Sequence, residues 1–257
     1  PAVRRINFTG STPVGRIIAR TCGEHLKPAV LELGGKAPLL VLDDADLEQA
    51  AAGAIFGAFA NAGQICMSTE RIIVDATVAE AFVAQLARRA AALPASLLGP
   101  VVDMKTVTRC NALIEDALAK GARLLAGGLS DSTQMRATLL DGVTREMRIW
   151  HEESFGPVKS IIRVKDEAEA LAVANESEYG LSSAIYSRDS ARAWNLAQNL
   201  QTGICHINGP TVHDEAQMPF GGCKSSGYGR FGGRAGIAEF TELRWVTLQT
   251  VPRELPF

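Results

Sequence analysis

Two short stretches hold side chains that could do chemistry together. In NAGQICMST, residues 61–69, Cys66 sits between a Gly-Gln turn and a Ser-Thr pair. A structural thiol usually has apolar neighbours, so this polar setting marks a candidate nucleophile. At an ordinary pKa near 8.5, roughly 3% of a thiol is thiolate at pH 7, so a working cysteine needs help from amides or a neighbour. In LELGGK, residues 31–36, Glu32 closes an apolar strand immediately before two glycines. A carboxylate so placed could act as a general base, its pKa tuned by partial burial. The glycine pair permits close backbone approach to a ligand. The plainer alternatives are an inert buried thiol and a surface glutamate at a sheet edge.

Three further stretches have ligand-binding character. NFTGSTPVGR (7–16) reads as a strand, a Gly10-Ser11-Thr12 turn and a helix start. Free amides and the helix dipole would make an anion site there, unless the turn is a simple capped one. EESFGP (152–157) places Glu153 and Phe155 before a Gly-Pro turn, and it could equally be a turn with a packed aromatic. MPFGGCKSSGYGR (218–230) is glycine-dense, with Phe220, Lys224 and Arg230 interspersed. It reads as a loop around a ligand or as a tight surface loop. The histidines at 25, 151, 206 and 213 have no metal-ligand spacing, so no metal is expected.

The elements that must position these residues alternate between strand and helix. Strands are expected at 2–8, 29–33, 37–42, 71–74, 182–187 and 203–208, the third a wholly apolar buried run. Helices are expected from Val14, with Val14, Ile17 and Ile18 on one face, after Asp44 as N-cap, and at 77–92, 167–175 and 189–200. That alternation implies an α/β fold with a mostly parallel sheet. The segment 241–250, TELRWVTLQT, reads as an isolated strand that could add to another sheet edge.

Composition narrows the function classes. The chain has 257 residues, 47% hydrophobic and 21% charged, with a net charge of −2. Near-neutral charge gives no reason to expect nucleic acid or a membrane surface as partner. No apolar run is long enough to span a bilayer, and the first residues lack the apolar core of a secretory leader. Five scattered cysteines without a CxxC pair suit a reducing, cytoplasmic setting better than a disulfide framework.

The ordered set FTGST–VG, LELGGK–P, GQ–C, EESFGPV, YGLS, NGP and PFGG–K–SG–GR resembles the aldehyde dehydrogenase superfamily over nearly the whole chain. Within it, NALIEDALAKGA and GICHINGPTVHDEAQMPFGG resemble the bacterial aromatic-aldehyde branch, with salicylaldehyde-type enzymes first and vanillin- and benzaldehyde-type enzymes next. The resemblance implies Cys66 as nucleophile and Glu32 as general base. It implies Gly10, Ser11 and Gly34 along the cofactor, Glu153 on the nicotinamide ribose and Phe155 packed beside it. Ile65, Met67 and Phe220 would line the substrate tunnel. The implied cofactor is NAD, with NADP the alternative. The implied assembly is a homodimer or homotetramer that takes a small aldehyde as substrate.

The resemblance also implies a division of the chain. Residues 1–33 would be a remnant of a Rossmann-like cofactor domain, residues 34–225 an aldehyde-dehydrogenase-like catalytic domain, and residues 226–257 a return segment with an oligomerisation strand. The resembling family runs to nearly twice this length, so a preceding half is expected to be missing. Strands 2–8 and 29–33 would then lack sheet neighbours, and the chain alone is expected to be inactive. A shortening of the family's connection is also expected at 93–100. Two other readings stand beside oxidation: a cofactor-independent thiol esterase, and a non-catalytic assembly piece.

Overall fold

Residues 37–41, APLLV, are apolar throughout and buried throughout, and they form an interior strand of the main sheet. The computed structural model describes residues 2–257. Its strands are β1 (Ile6–Thr9), β2 (Ala29–Glu32), β3 (Ala37–Val41), β4 (Thr69–Asp75), β5 (Arg123–Ala126) and β6 (Thr138–Asp141). There follow β7 (Val158–Val164), β8 (Tyr179–Gly180), β9 (Ser182–Tyr186), β10 (Ile204–Ile207), β11 (Cys223–Lys224) and β12 (Gly227–Tyr228). The helices are α1 (Thr12–Glu24), α2 (Leu47–Phe59), α3 (Ala76–Ala92), α4 (Ala95–Leu98) and α5 (Met104–Ala119). Then come α6 (Arg148–His151), α7 (Glu167–Asn175), α8 (Ser190–Ala197) and α9 (Gly233–Glu239).

The main sheet has the order β10-β9-β3-β4-β7-β6-β5, with every pairing parallel except β5 with β6. Alternate residues of its central strands feed two cores, as the two-residue period of a strand requires. Leu39, Val41, Ile72 and Val74 pack with Phe82 and Leu86 of α3 and the alanines of α2. Leu40, Leu42 and Ile73 pack on the other face with α5, α7 and α8. Covering both faces explains why these strands are apolar runs rather than alternating ones.

A smaller sheet has the order β1-β2-β12. Here the structure corrects the sequence reading. The first strand is Ile6–Thr9, and it pairs in parallel register with β2, Ile6 opposite Ala29 through Thr9 opposite Glu32. The other edge of β2 takes β12 antiparallel, with Gly227 opposite Glu32. Both strands therefore have neighbours within the chain. Cys22 of α1 packs on Leu31 and Leu33 with Ile18 beside it, whereas Val14 and Ile17 are exposed. The α1 residues do not share one buried face.

Two other expectations change. Asp46, not Asp44, caps α2, its side chain accepting from the Glu48 and Gln49 amides at 3.1 Å each. Asp44 instead accepts from Ser187 Oγ and the Asp189 amide, tying the start of α2 to the end of β9. Asp46→Ala is expected to cost about 1 kcal/mol, lowering the thermal midpoint by about 2–4 °C. An unchanged midpoint in calorimetry contradicts that role. Residues 241–250 form no strand, and Leu243, Trp245 and Leu248 are exposed. Their alternating pattern finds no edge to pair with among the described residues. No described helix is long and apolar enough to cross a membrane.

Candidate active site

The loop holding Cys66 is set by three successive left-handed residues after α2, Asn61, Ala62 and Gly63. Such a run is costly for alanine and reverses the chain sharply. It delivers Cys66 three residues before β4 begins. Gln64 fastens the turn: its Oε1 accepts from the Val102 amide at 2.8 Å, and its Nε2 donates to the Asn61 carbonyl at 3.1 Å. On the far side of Cys66, Ser68 Oγ donates to the Gly57 carbonyl at 3.0 Å.

Glu32 ends β2 and is only 4% exposed, which excludes the surface alternative. The turn that follows it gathers the other groups. A side-chain carbon on Gly35 would press directly on the Cys66 carbonyl oxygen, and one on Gly34 would lie 2.6 Å from Glu153 Oε2. Neither glycine has a positive φ, so contact, not backbone freedom, is what constrains them: backbone at Gly35, and the end of the Glu153 side chain at Gly34. The Gly35 amide donates to Glu153 Oε1 at 2.8 Å. Cys66, Glu32 and Glu153 therefore meet at one turn, although they are far apart in the sequence.

The site is electrostatically unusual. Burial pushes the Glu32 carboxyl up to about 7, against the easing effect of the Cys66 thiol beside it. Burial, then the charge and contact of Glu32, push the Cys66 thiol up to about 12. The Met67 amide favours the thiolate but is outweighed. At neutral pH the thiol keeps its proton, and Glu32 is the neighbour poised to take it. Glu153 also rises to about 7, chiefly from burial. Glu32 Oε1 is buried without a hydrogen-bond partner, an open acceptor inside the site.

The remaining sequence candidates divide. Gly10 and Ser11 are exposed at the uncapped start of α1, and the Gly10 amide donates to the Glu32 carbonyl at 3.0 Å. Phe155 is partly exposed in a left-handed conformation, one residue after buried Ser154. Ile65 and Met67 flank the thiol in sequence, Met67 buried and Ile65 half-buried. Phe220 lines a cavity of about 320 Å³ with Ile204, Cys205, His206, His213 and Met218, and Ile65, Cys66 and Met67 are not in its wall. Four residues with no assigned role do emerge: Lys36, Glu70, Ser154 and Lys159, a buried polar cluster under the same turn. Lys36 and Ser154 stood in stretches the sequence singled out, LELGGK and EESFGP, whereas Glu70 and Lys159 did not.

The sequence profile described as "Aldehyde dehydrogenase family" matches residues 1–246. The chain belongs to the aldehyde dehydrogenase family. This aldehyde dehydrogenase chain is 63% identical to a vanillin dehydrogenase of Pseudomonas fluorescens, covering all of itself and 55% of that protein. It is 50% identical to a salicylaldehyde dehydrogenase of Pseudomonas sp. (strain C18), covering 99% of itself and 54% of that protein. The crystal structure of a salicylaldehyde dehydrogenase from Pseudomonas putida G7 complexed with salicylaldehyde superposes with a TM-score of 0.97 at 49% identity. That match covers 99% of this chain and 54% of the solved one. The aldehyde dehydrogenase chain thus spans about half the length of these relatives.

The double glycine of this aldehyde dehydrogenase chain can be tested directly. Gly35→Ala forces the Cys66 backbone to move, an overpacking expected to cost about 1–3 kcal/mol. Urea unfolding measures that cost, and wild-type stability in the variant would refute the contact.

Proposed function

We propose that the whole protein containing this chain oxidises an aromatic aldehyde to the carboxylic acid with NAD or NADP. The observation that carries the reading is the meeting of Cys66, Glu32 and Glu153 on the Gly34-Gly35 turn. The substrate class follows the relatives, whose names point to hydroxybenzaldehydes. The donor set fits a nicotinamide dinucleotide. The uncapped N-terminus of α1, at Gly10 and Ser11, offers amides to a diphosphate. Glu153 offers a carboxylate to ribose hydroxyls, Phe155 an aromatic face, and buried Gly34 a close backbone approach.

In this reading Cys66 attacks the aldehyde carbonyl as its thiol proton passes to Glu32, forming a thiohemiacetal. The bound nicotinamide supplies the hydride acceptor, which is what turns a thiohemiacetal into a thioester. Glu32, once it has given up that proton, takes one from water, and the hydroxide opens the thioester to the acid and the free thiol. General-base help of this kind is worth typically about 10²–10⁴-fold. Ile65 and Met67 would flank the aldehyde beside the thiol, and Phe220 would act further out.

The division of labour proposed for the chain places the cofactor-binding remnant at 1–33, the catalytic unit at 34–225 and the return segment at 226–257. The exposed apolar residues of 241–250 suit a partner subunit's sheet edge in a homodimer or homotetramer. Five free cysteines suit the cytoplasm. A second reading, hydrolysis of activated esters without cofactor, is favoured for the isolated chain because Cys66 and Glu32 both lie within it. Nitrophenyl acetate turnover by the isolated chain tests that reading.

The main test is NADH formation by the whole protein with vanillin, salicylaldehyde and benzaldehyde. Absence of NADH with all three, for a folded protein, removes the proposal.

A further inference from the structure

A buried ion cluster lies under the turn that holds Glu153. Glu70 of β4 accepts from Lys36 Nζ at 2.7 Å and Lys159 Nζ at 2.6 Å, all three side chains being closed to solvent. The same carboxylate accepts from Ser154 Oγ at 2.5 Å and from the Ser154 amide at 2.9 Å. Lys36 Nζ also donates to the Glu152 carbonyl at 2.5 Å. The residues on either side of Glu153 are therefore both fastened to the sheet. Between them Glu153 reaches the amide of Gly35, the residue next to Lys36. The ring closes on itself: Gly35, Glu153, Glu152, Lys36.

Stability is a poor reason for such a cluster, because apolar side chains of similar size would usually hold a fold as well or better. What an apolar core could not do is grip the backbone of a short loop at two named points. The loop needs that grip, since Phe155 is held in a left-handed conformation unfavourable to its side chain. Lys36 immediately precedes β3, Glu70 lies in β4 and Lys159 in β7, all three buried in the sheet, so the anchor is rigid.

We propose that Lys36, Glu70, Lys159 and Ser154 are positioning residues, a clamp that aims the Glu153 carboxylate and so sets affinity for the nicotinamide nucleotide. The inference rests on the reading that Glu153 holds that nucleotide. None of the four touches the reacting atoms, and their effect passes through Glu153.

The test is a double-mutant cycle in the whole protein, read by NADH fluorescence titration. Lys159→Met and Glu153→Gln are each expected to weaken NADH binding at least tenfold. The double variant is expected to be no weaker, within twofold, than the weaker single one. KM for the aldehyde should stay within twofold in Lys159→Met. Losses that multiply, or an NADH affinity unchanged in Lys159→Met, overturn the clamp. Should Lys159→Met not fold, Ser154→Ala takes its place in the cycle with an expected loss of about threefold. There too, multiplied losses or no loss overturn the clamp. A folded wild type that binds no NADH sinks the functional reading and the clamp with it. A wild type that binds NADH while the cycle is additive sinks the clamp alone.

Discussion

Cys66→Ala is expected to lower aldehyde oxidation by the whole protein at least about 10⁴-fold, while NADH still binds within about twofold of wild type. Removing a nucleophile that forms the covalent intermediate takes away the whole route, not one of several contributions to it. NADH affinity serves as the internal control, since the residues proposed to hold the dinucleotide are Gly10, Ser11, Gly34, Glu153 and Phe155. The chemistry of the resting thiol adds a second readout. With the pKa pushed up to about 12, only on the order of one thiol in 10⁵ is ionised at pH 7. Alkylation of Cys66 by iodoacetamide, followed by mass spectrometry of its peptide, should therefore quicken about tenfold per pH unit between 7 and 10. A rate that levels off above about pH 9 would mean an ordinary exposed thiol and would count against the buried Cys66–Glu32 pair. Substantial turnover in Cys66→Ala would end the covalent reading altogether.

How much of this could be read from the sequence depends on how local the cause was. The unbroken apolar run of β3 announced a strand covered on both faces, and the regular pattern of α7 fixed its bounds at 167–175. Cys66 was legible because the loop around it carries polar Gln64, Ser68 and Thr69, and Glu32 because a carboxylate at the end of an apolar strand is out of place. The glycine pair was read as room for a ligand. In the structure that room is taken by the chain's own Cys66 carbonyl and Glu153 carboxylate, a contact between segments that no local pattern encodes. The Lys36–Glu70–Lys159 cluster was illegible for a related reason. Lysines and glutamates read as surface residues one at a time, and only strand order places β4 beside both β3 and β7. The direction of the Cys66 shift was hidden too, because it depends on Glu32 being close and water being absent. For 241–250 the pattern was visible and the edge to receive it was not.

Glu32→Gln separates the two roles that one carboxylate is proposed to play, and its effects run in opposite directions. Turnover should fall by about 10²–10³-fold, since neither the thiol proton nor the water proton has its acceptor. Iodoacetamide should react faster with the variant at pH 8, because the Glu32 charge and contact are among the causes that hold the thiol proton on. The pH profiles should differ in shape. Wild-type turnover rises through about pH 7, where Glu32 ionises, and then levels. The variant must wait for spontaneous thiolate, so its residual rate keeps climbing toward pH 10. Stability should move against activity as well. A carboxyl raised from 4.5 to about 7 on folding keeps a proton that the unfolded chain releases, so the folded state loses stability as pH rises through that window. Below pH 4.5 both states are protonated and the penalty is absent. Well above pH 7 it is complete, on the order of 3 kcal/mol. Glutamine carries no charge to bury, so the variant should outlast wild type in urea at pH 8 and match it near pH 4. A variant that turns over like wild type, or that is less stable at pH 8, would show that Glu32 is not the buried, proton-accepting base on which the deacylation step depends.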